Sequence, residues 1–63
     1  MNLVQFILDE AKTQGWGKET LSKRAGHGKS LLYDWELNRS RPTLYAVERV
    51  LRALGYKLTV EKR

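Results

Sequence analysis

The sequence predicts an all-α fold of four short helices, followed by a short C-terminal β-strand. Apolar residues recur at three- and four-residue spacing in four separate stretches, which is the pattern of amphipathic helices. Each stretch is followed by a residue type that favours a left-handed helix end, in the order Gly15, Gly26, Asn38 and Gly55. Residues 56–61 alternate between apolar and polar, which is the pattern of a half-buried strand.

Composition limits the protein to one small basic domain. The 63 residues carry a net charge of +5 and no cysteine, so we expect one core without disulfides or thiolate metal sites. No apolar stretch approaches the roughly 20 residues that span a bilayer, and the N terminus lacks the pattern of an export signal. We expect a cytoplasmic protein without a cofactor.

The first two helices are predicted from their caps and breakers. Asn2 is a good N-cap for a helix over about residues 3–13, which Gly15 ends. Trp16, in the connection that follows, is expected to fold back onto the core. The second helix, over residues 18–25, is too short to be stable alone in water, so packing has to hold it.

The third and fourth helices are separated by a polar, basic loop. Gly28 is the predicted N-cap of a helix over residues 29–37, and Asn38 is its predicted left-handed C-cap. Thr43 caps the fourth helix, whose apolar residues repeat at helical spacing until Gly55.

Together the second and third helices match the plan of a helix-turn-helix, in which two short helices meet at a tight turn. Gly26 lies at this turn, where glycine adopts a positive φ angle at little cost. Ser22 is small enough to let the two helices approach closely. The four apolar residues of this unit are predicted to point into the core: Leu21, Ala25, Leu32 and Trp35.

Residues 21–54 resemble the Cro and phage-repressor (XRE-type) family of DNA-binding domains. Residues 18–26 resemble the first motif helix and turn of that family, and residues 29–36 resemble its recognition helix. The loop ending in Pro42 and the closing Ala53-Leu54-Gly55 add to the resemblance. The sequence departs from the family's usual residues at four positions, which are Lys18, Ser22, His27 and Asn38.

The resemblance implies a repressor-like four-helix domain over residues 1–55 that binds double-stranded DNA. The tail, residues 56–63, is predicted to be the dimerisation element, because a single strand leaves its own backbone groups unpaired. Two copies that pair their tails around a twofold axis would bury three apolar residues, Tyr56, Leu58 and Val60. The alternative is a tail that packs on its own helices or frays.

The outer face of the third helix carries the predicted base contacts, because the major groove is wide enough to admit a helix. By groove chemistry, Lys29 would suit guanine and Tyr33 would lie against a thymine methyl group. Asp34 would either accept a hydrogen bond from cytosine or pair with a cation of the protein surface. The predicted base-reading residues are Lys29, Ser30, Tyr33, Asp34 and Leu37.

Basic and polar residues around the third helix are the predicted phosphate contacts, namely Lys18, Lys23, Gly28, Asn38, Arg39 and Arg41. Lys18 and Lys29 stand at predicted helix N-termini, where the macrodipole disfavours cations. A bound phosphate would explain that placement. The alternative is that both are ordinary solvated lysines. Glu36 is expected to be a structural salt-bridge or cap residue and not a DNA contact, since an anion near phosphate is unfavourable.

Catalysis is not predicted from these residues. His27 is the single histidine, and Gly28-Lys29-Ser30 lacks the upstream glycine and the buried strand of a phosphate-binding loop. The predicted function is sequence-specific binding to a palindromic DNA operator as a homodimeric transcriptional regulator of the repressor or Cro type. The alternative is a protein-interaction module, such as an antitoxin that holds a toxin, with DNA binding secondary or absent. Membrane binding is not expected, because the cations are not confined to one long amphipathic helix.

Overall fold

The structure is a computed structural model that describes residues 2–59. Within that range the chain is all-helical, as predicted, and forms no strand. No helix among these residues is both long enough and apolar enough to cross a bilayer. The helices are α1 (Leu3–Thr13), α2 (Lys18–Arg24), α3 (Leu31–Glu36) and α4 (Leu44–Ala53).

One apolar core lies between the four helices. The four residues predicted to line the helix-turn-helix interior are all buried, with Leu21 and Leu32 fully so. Trp16 packs against the edge of this core, which confirms the prediction for the first connection. The other helices contribute a further set of buried residues: Ile7, Ala11, Ala46, Val47, Val50, Leu51 and, just after α4, Leu54.

All four helices end in the same way, on a residue with a positive φ angle. For α3 this residue is Asn38, with φ 57°, as predicted for its C-cap region. Its N–H donates to the carbonyl of Trp35 at 3.3 Å, and the Arg39 N–H donates to the carbonyl of Asp34 at 2.8 Å. These are the two bonds of a Schellman motif, which satisfies the last carbonyls of a helix and turns the chain sharply. Short helices can therefore follow one another around one core.

The start of α3 differs from the prediction. The helix begins at Leu31, and Lys29 and Ser30 form a turn that is closed by a bond of 3.3 Å from the Leu31 N–H to the Gly28 carbonyl. Gly28 is therefore not the N-cap, and Lys29 does not lie in the first helical turn. The predicted conflict between the Lys29 charge and the macrodipole of α3 was wrong for this reason.

The buried hydroxyl of Ser22 joins α2 to α3. Its Oγ donates to the Lys18 carbonyl at 2.8 Å and accepts from the Leu32 N–H at 3.2 Å. The N–H groups of a first helical turn have no partner within their own helix. Ser22 therefore supplies from α2 the acceptor that an N-cap side chain would supply locally, and its small size also permits the close helix contact that was predicted.

The predicted C-terminal strand is not formed within the described residues. Residues 56–59 pair with no other strand, because no second extended partner is present in residues 2–59. The ring of Tyr56 instead meets the ring of Phe6 edge-on, with centroids 5.4 Å apart, and Leu58 packs against the core. Val60 lies outside the described residues. The start of the tail thus packs on its own helices.

Polar contacts to α1 also hold the beginning of the tail. The Gln14 side-chain amide donates to the Leu54 carbonyl at 2.9 Å. Hydrogen bonding to the Glu10 side chain is the largest cause that raises the pKa of Tyr56 above its ordinary value of 10.0, and desolvation and the Glu10 charge act in the same direction. The neutral phenol is therefore the form favoured by the folded chain.

Replacing Ser22 tests the link between α2 and α3. Ser22→Ala is expected to lower the free energy of unfolding by about 1 to 3 kcal/mol, because it leaves the buried Leu32 N–H without an acceptor. Urea unfolding followed by circular dichroism measures this. Thr20→Ala removes an exposed hydroxyl from the same helix and is expected to change stability by less than about 0.5 kcal/mol. Equal losses in the two variants would contradict this role.

Removing the Glu10 charge tests the docking of the tail. Glu10→Gln is expected to lower the pKa of Tyr56 toward 10.0, read from tyrosinate absorbance as the difference from the matching Tyr56→Phe chain. Because folding raises this pKa, the contact stabilises the fold below pH 10 and is lost as the pH rises through the folded value. Asp9→Asn is the control, since Asp9 bonds Gln5 instead. Identical titrations in both variants would exclude the contact.

Candidate nucleic-acid interface

The outer face of α3 and the turn before it are open to solvent. Tyr33 is 44% exposed and Leu37 is 54% exposed, and both lie opposite the buried Leu32 and Trp35. Lys29 and Ser30 are exposed in the preceding turn, together with Gly28. Four of the five predicted base-reading residues therefore share one accessible surface, held to the protein by two core residues of the same short helix.

Asp34, the fifth predicted base-reading residue, is engaged within the chain. Its carboxylate accepts from the Ser30 hydroxyl at 3.3 Å and lies 3.9 Å from the Arg39 guanidinium. Of the two roles considered for Asp34, this geometry matches pairing with a surface cation. Since the Arg39 N–H also bonds the Asp34 carbonyl, the first residues after α3 are tied to the helix itself.

Lys18, the first residue of α2, is held by two residues of α3. Its Nζ lies 3.2 Å from a carboxylate oxygen of Glu36 and 5.3 Å from the centre of the Tyr33 ring. The salt bridge expected for Glu36 is confirmed. Lys18, a predicted phosphate contact, therefore already has an anionic partner within the protein.

An open groove of about 1300 Å³ brings part of the predicted phosphate set together. It runs between α1 and the end of α3, and Lys18, Asn38 and Arg41 line it beside Tyr33. The other three predicted contacts, Lys23, Gly28 and Arg39, are not part of this lining. The interface is therefore a surface that surrounds α3 on several sides, and not a single enclosed pocket.

The cations of this surface differ in how strongly they are engaged. Lys23 lies 3.7 Å from Glu19 on the same helix, and both side chains are largely exposed. Lys29 and Arg41 form no ion pair with any described residue. Lys29 and Arg41 are thus the predicted contacts whose charges are most available to an anionic partner.

Two residues of α4 support the turn between α2 and α3, and neither was predicted. The Arg49 Nε donates to the Ala25 carbonyl at 3.2 Å, and its guanidinium lies 5.5 Å from the Tyr45 ring centre. A Cβ at Gly26 would lie 2.8 Å from the terminal guanidinium nitrogen of Arg49, which a flexible side chain can move away, so the φ of 84° is what restricts this position to glycine. His27 meets Tyr45 edge-on at 6.1 Å. Nothing in the sequence signals a contact between positions 24 residues apart.

Metal-binding chemistry has no support in the described part of the chain, where no group of three or more histidine, cysteine or acidic side chains is arranged to hold an ion. The groups that the candidate interface offers are instead cations and hydroxyls around an exposed short helix. Such groups can bind phosphate oxygens and the edges of bases.

Comparison with known proteins identifies the family. A helix-turn-helix family matches residues 9–60, which is most of the chain and includes the complete α2–turn–α3 unit and α4. A search of curated proteins and a search of solved structures each returned no match. This family is one of DNA-binding regulators and not of enzymes. By its matched sequence and its four-helix fold, the chain belongs to the Cro and phage-repressor (XRE-type) helix-turn-helix family.

Proposed function

We propose that this protein binds a specific double-stranded DNA sequence with α3 and regulates transcription as a homodimer. The observation that carries the proposal is the exposed face of α3, bounded by cations and held rigidly by Leu32 and Trp35. A short helix is useful for recognition only if its orientation is fixed, and the core contacts of α3 provide that. The face is also narrow enough to enter a major groove, which is about 12 Å wide.

Base reading is proposed for the residues along the middle of this face. Lys29 is exposed and without an ion pair, so its ammonium can approach the O6 and N7 atoms of guanine. Tyr33 and Leu37 are one helical turn apart and offer apolar contact to thymine methyl groups. Ser30 is a less selective donor and acceptor. Asp34 positions Ser30 and Arg39 in this scheme and does not read cytosine.

Phosphate contacts are proposed for the residues that flank the face. Arg41, Arg39 and Asn38 follow α3, while Lys23 and Gly28 precede it. With about four phosphates neutralised per protomer, the logarithm of dimer affinity should fall against the logarithm of salt concentration with a slope near −7. A slope shallower than about −2 would contradict the proposal.

Replacing Lys29 tests the proposed readout. Bound duplexes are first selected from a random pool with the parent protein, and the selected sequence is then titrated by fluorescence anisotropy. Lys29→Ala is expected to weaken binding to the selected duplex by about 1 to 3 kcal/mol and to relax the preference at one base pair per half-site. The melting temperature should not change, because Lys29 is exposed.

Arg52→Ala is the matched control for charge. Arg52 lies on α4 with a 75% exposed side chain and makes its ion pair there with Glu48, outside the proposed interface. It removes the same charge as Lys29→Ala and is expected to leave the base preference intact. Major-groove reading by this face would be contradicted if the selection enriched no sequence. It would also be contradicted if both variants relaxed the base preference equally.

A homodimer is proposed through the C-terminal tail. Leu58 faces the core while Lys57 and Thr59 are exposed, and the backbone of residues 57–59 makes no hydrogen bond to other described residues. These unpaired groups can form an antiparallel ribbon with a second copy. A twofold arrangement would present two copies of α3 to half-sites roughly 34 Å apart. Because Leu58 also serves the core of its own chain, a substitution there would alter folding as well as pairing.

Ending the chain after Leu58 tests this dimer without removing the residues that dock on α1. Sedimentation at micromolar concentration is expected to show a dimer for the full chain and a monomer for the shortened one, with the helical circular dichroism retained. Thr59→Ala in the full chain keeps the backbone and should keep the dimer. A monomeric parent, or a shortened chain that remains dimeric, would contradict pairing through the tail.

A further inference from the structure

The pair of Lys18 and Glu36 joins the beginning of α2 to the end of α3. The two charged groups are 3.2 Å apart, and their side chains are only 33% and 42% exposed. The ring of Tyr33 lies on the ammonium as well, at 5.3 Å. Lys18 is thus enclosed by a carboxylate and by an aromatic face, both of which come from the proposed DNA-reading helix.

The other lysine of the predicted phosphate contacts that pairs with a carboxylate, Lys23, is held much more loosely. Lys23 and Glu19 are 3.7 Å apart with side chains 62% and 54% exposed, and solvent and salt weaken such a pair. The Lys18–Glu36 contact is shorter and less exposed. A phosphate that approaches this surface therefore meets at Lys29 or Arg41 a charge unpaired among the described residues, and at Lys18 a charge that is already paired with Glu36.

We propose that Glu36 sets the affinity of this protein for DNA by occupying on Lys18 the position that a backbone phosphate would otherwise take. The inference rests on the proposed DNA-binding function and adds an affinity-setting residue to it. Glu36 makes no favourable contact with DNA in this scheme. It acts through Lys18, whose ammonium it withholds from the sequence-independent part of binding.

Withholding one cation has a defined consequence. Each phosphate neutralised by a lysine contributes about −0.9 to the slope of log affinity against log salt, whatever the base sequence. Lys18 should contribute little to that slope in the parent protein. Once Glu36 is neutral, Lys18 should contribute the full value of about −0.9. The release should tighten binding to random and selected duplexes by the same factor, because a phosphate carries no sequence information.

The test is Glu36→Gln, which keeps the size of the side chain and removes its charge. Affinity for a random duplex is measured by anisotropy from about 50 to 200 mM salt, a range over which one phosphate contact loses about 3.5-fold in affinity. The variant is expected to bind several-fold tighter at the low end and to show a slope steeper by about 0.9 per bound protomer.

Glu48→Gln is the control for net charge. It also breaks an ion pair, to Arg52 at 2.8 Å, but on α4 and away from the proposed contacts. A slope change in Glu36→Gln that merely equals that of Glu48→Gln would overturn the inference. A parent protein that binds no duplex would instead overturn the proposed function, so the two failures are distinguishable.

The Lys18→Gln background separates release of the lysine from simple relief of repulsion between Glu36 and DNA. Glu36→Gln should give a larger gain in affinity with Lys18 present than with Gln at that position, and equal gains would overturn the inference. Should Glu36→Gln fail to fold, Lys18→Gln alone remains decisive. The slope of log affinity against log salt for Lys18→Gln should match that of the parent, whereas the slope for Arg41→Gln should be shallower by about 0.9 per protomer. Equal changes in slope for the two variants would overturn the inference.

Discussion

The placement of α3 against α2 depends on one buried hydroxyl group, that of Ser22. The Ser22 Oγ accepts a hydrogen bond from the Leu32 N–H and donates one to the Lys18 carbonyl, so a single atom joins the backbones of α2 and α3. Helices of seven and six residues are too short to persist alone in water. Their stability comes from each other and from the core, and the same contacts that stabilise α3 also fix the direction in which its outer face points.

A rigid reading surface follows from that constraint. Leu32 and Trp35 hold α3 from inside, while the Schellman turn at Asn38 and the Asp34–Arg39 pair hold the chain that leaves it. At the other end, Arg49 of α4 bonds the last turn of α2. Every neighbouring element therefore contributes to the placement of a helix less than two turns long. This is how a domain with a small core can present a defined surface to a partner.

The charge of the interface is more balanced than its composition suggests. Three cations of the phosphate contacts predicted from the sequence have carboxylate partners, and the partners of Lys18 and Arg39 lie on α3 itself. Lys29 and Arg41 form no ion pair within the described residues. The field felt by an approaching polyanion thus depends on which of these pairs it can displace, and not on the net charge of +5 alone.

The sequence by itself determined the features that local chemistry controls. Asn2 and Thr43 cap α1 and α4 as predicted, because their side chains accept from N–H groups only three residues away. Helical spacing likewise identified the core residues of α2 and α3. Only the tertiary structure decided the start of α3, the partner of Lys18 and the docking of Tyr56. Each of these depends on a group ten or more residues distant, which becomes a neighbour only when the helices pack.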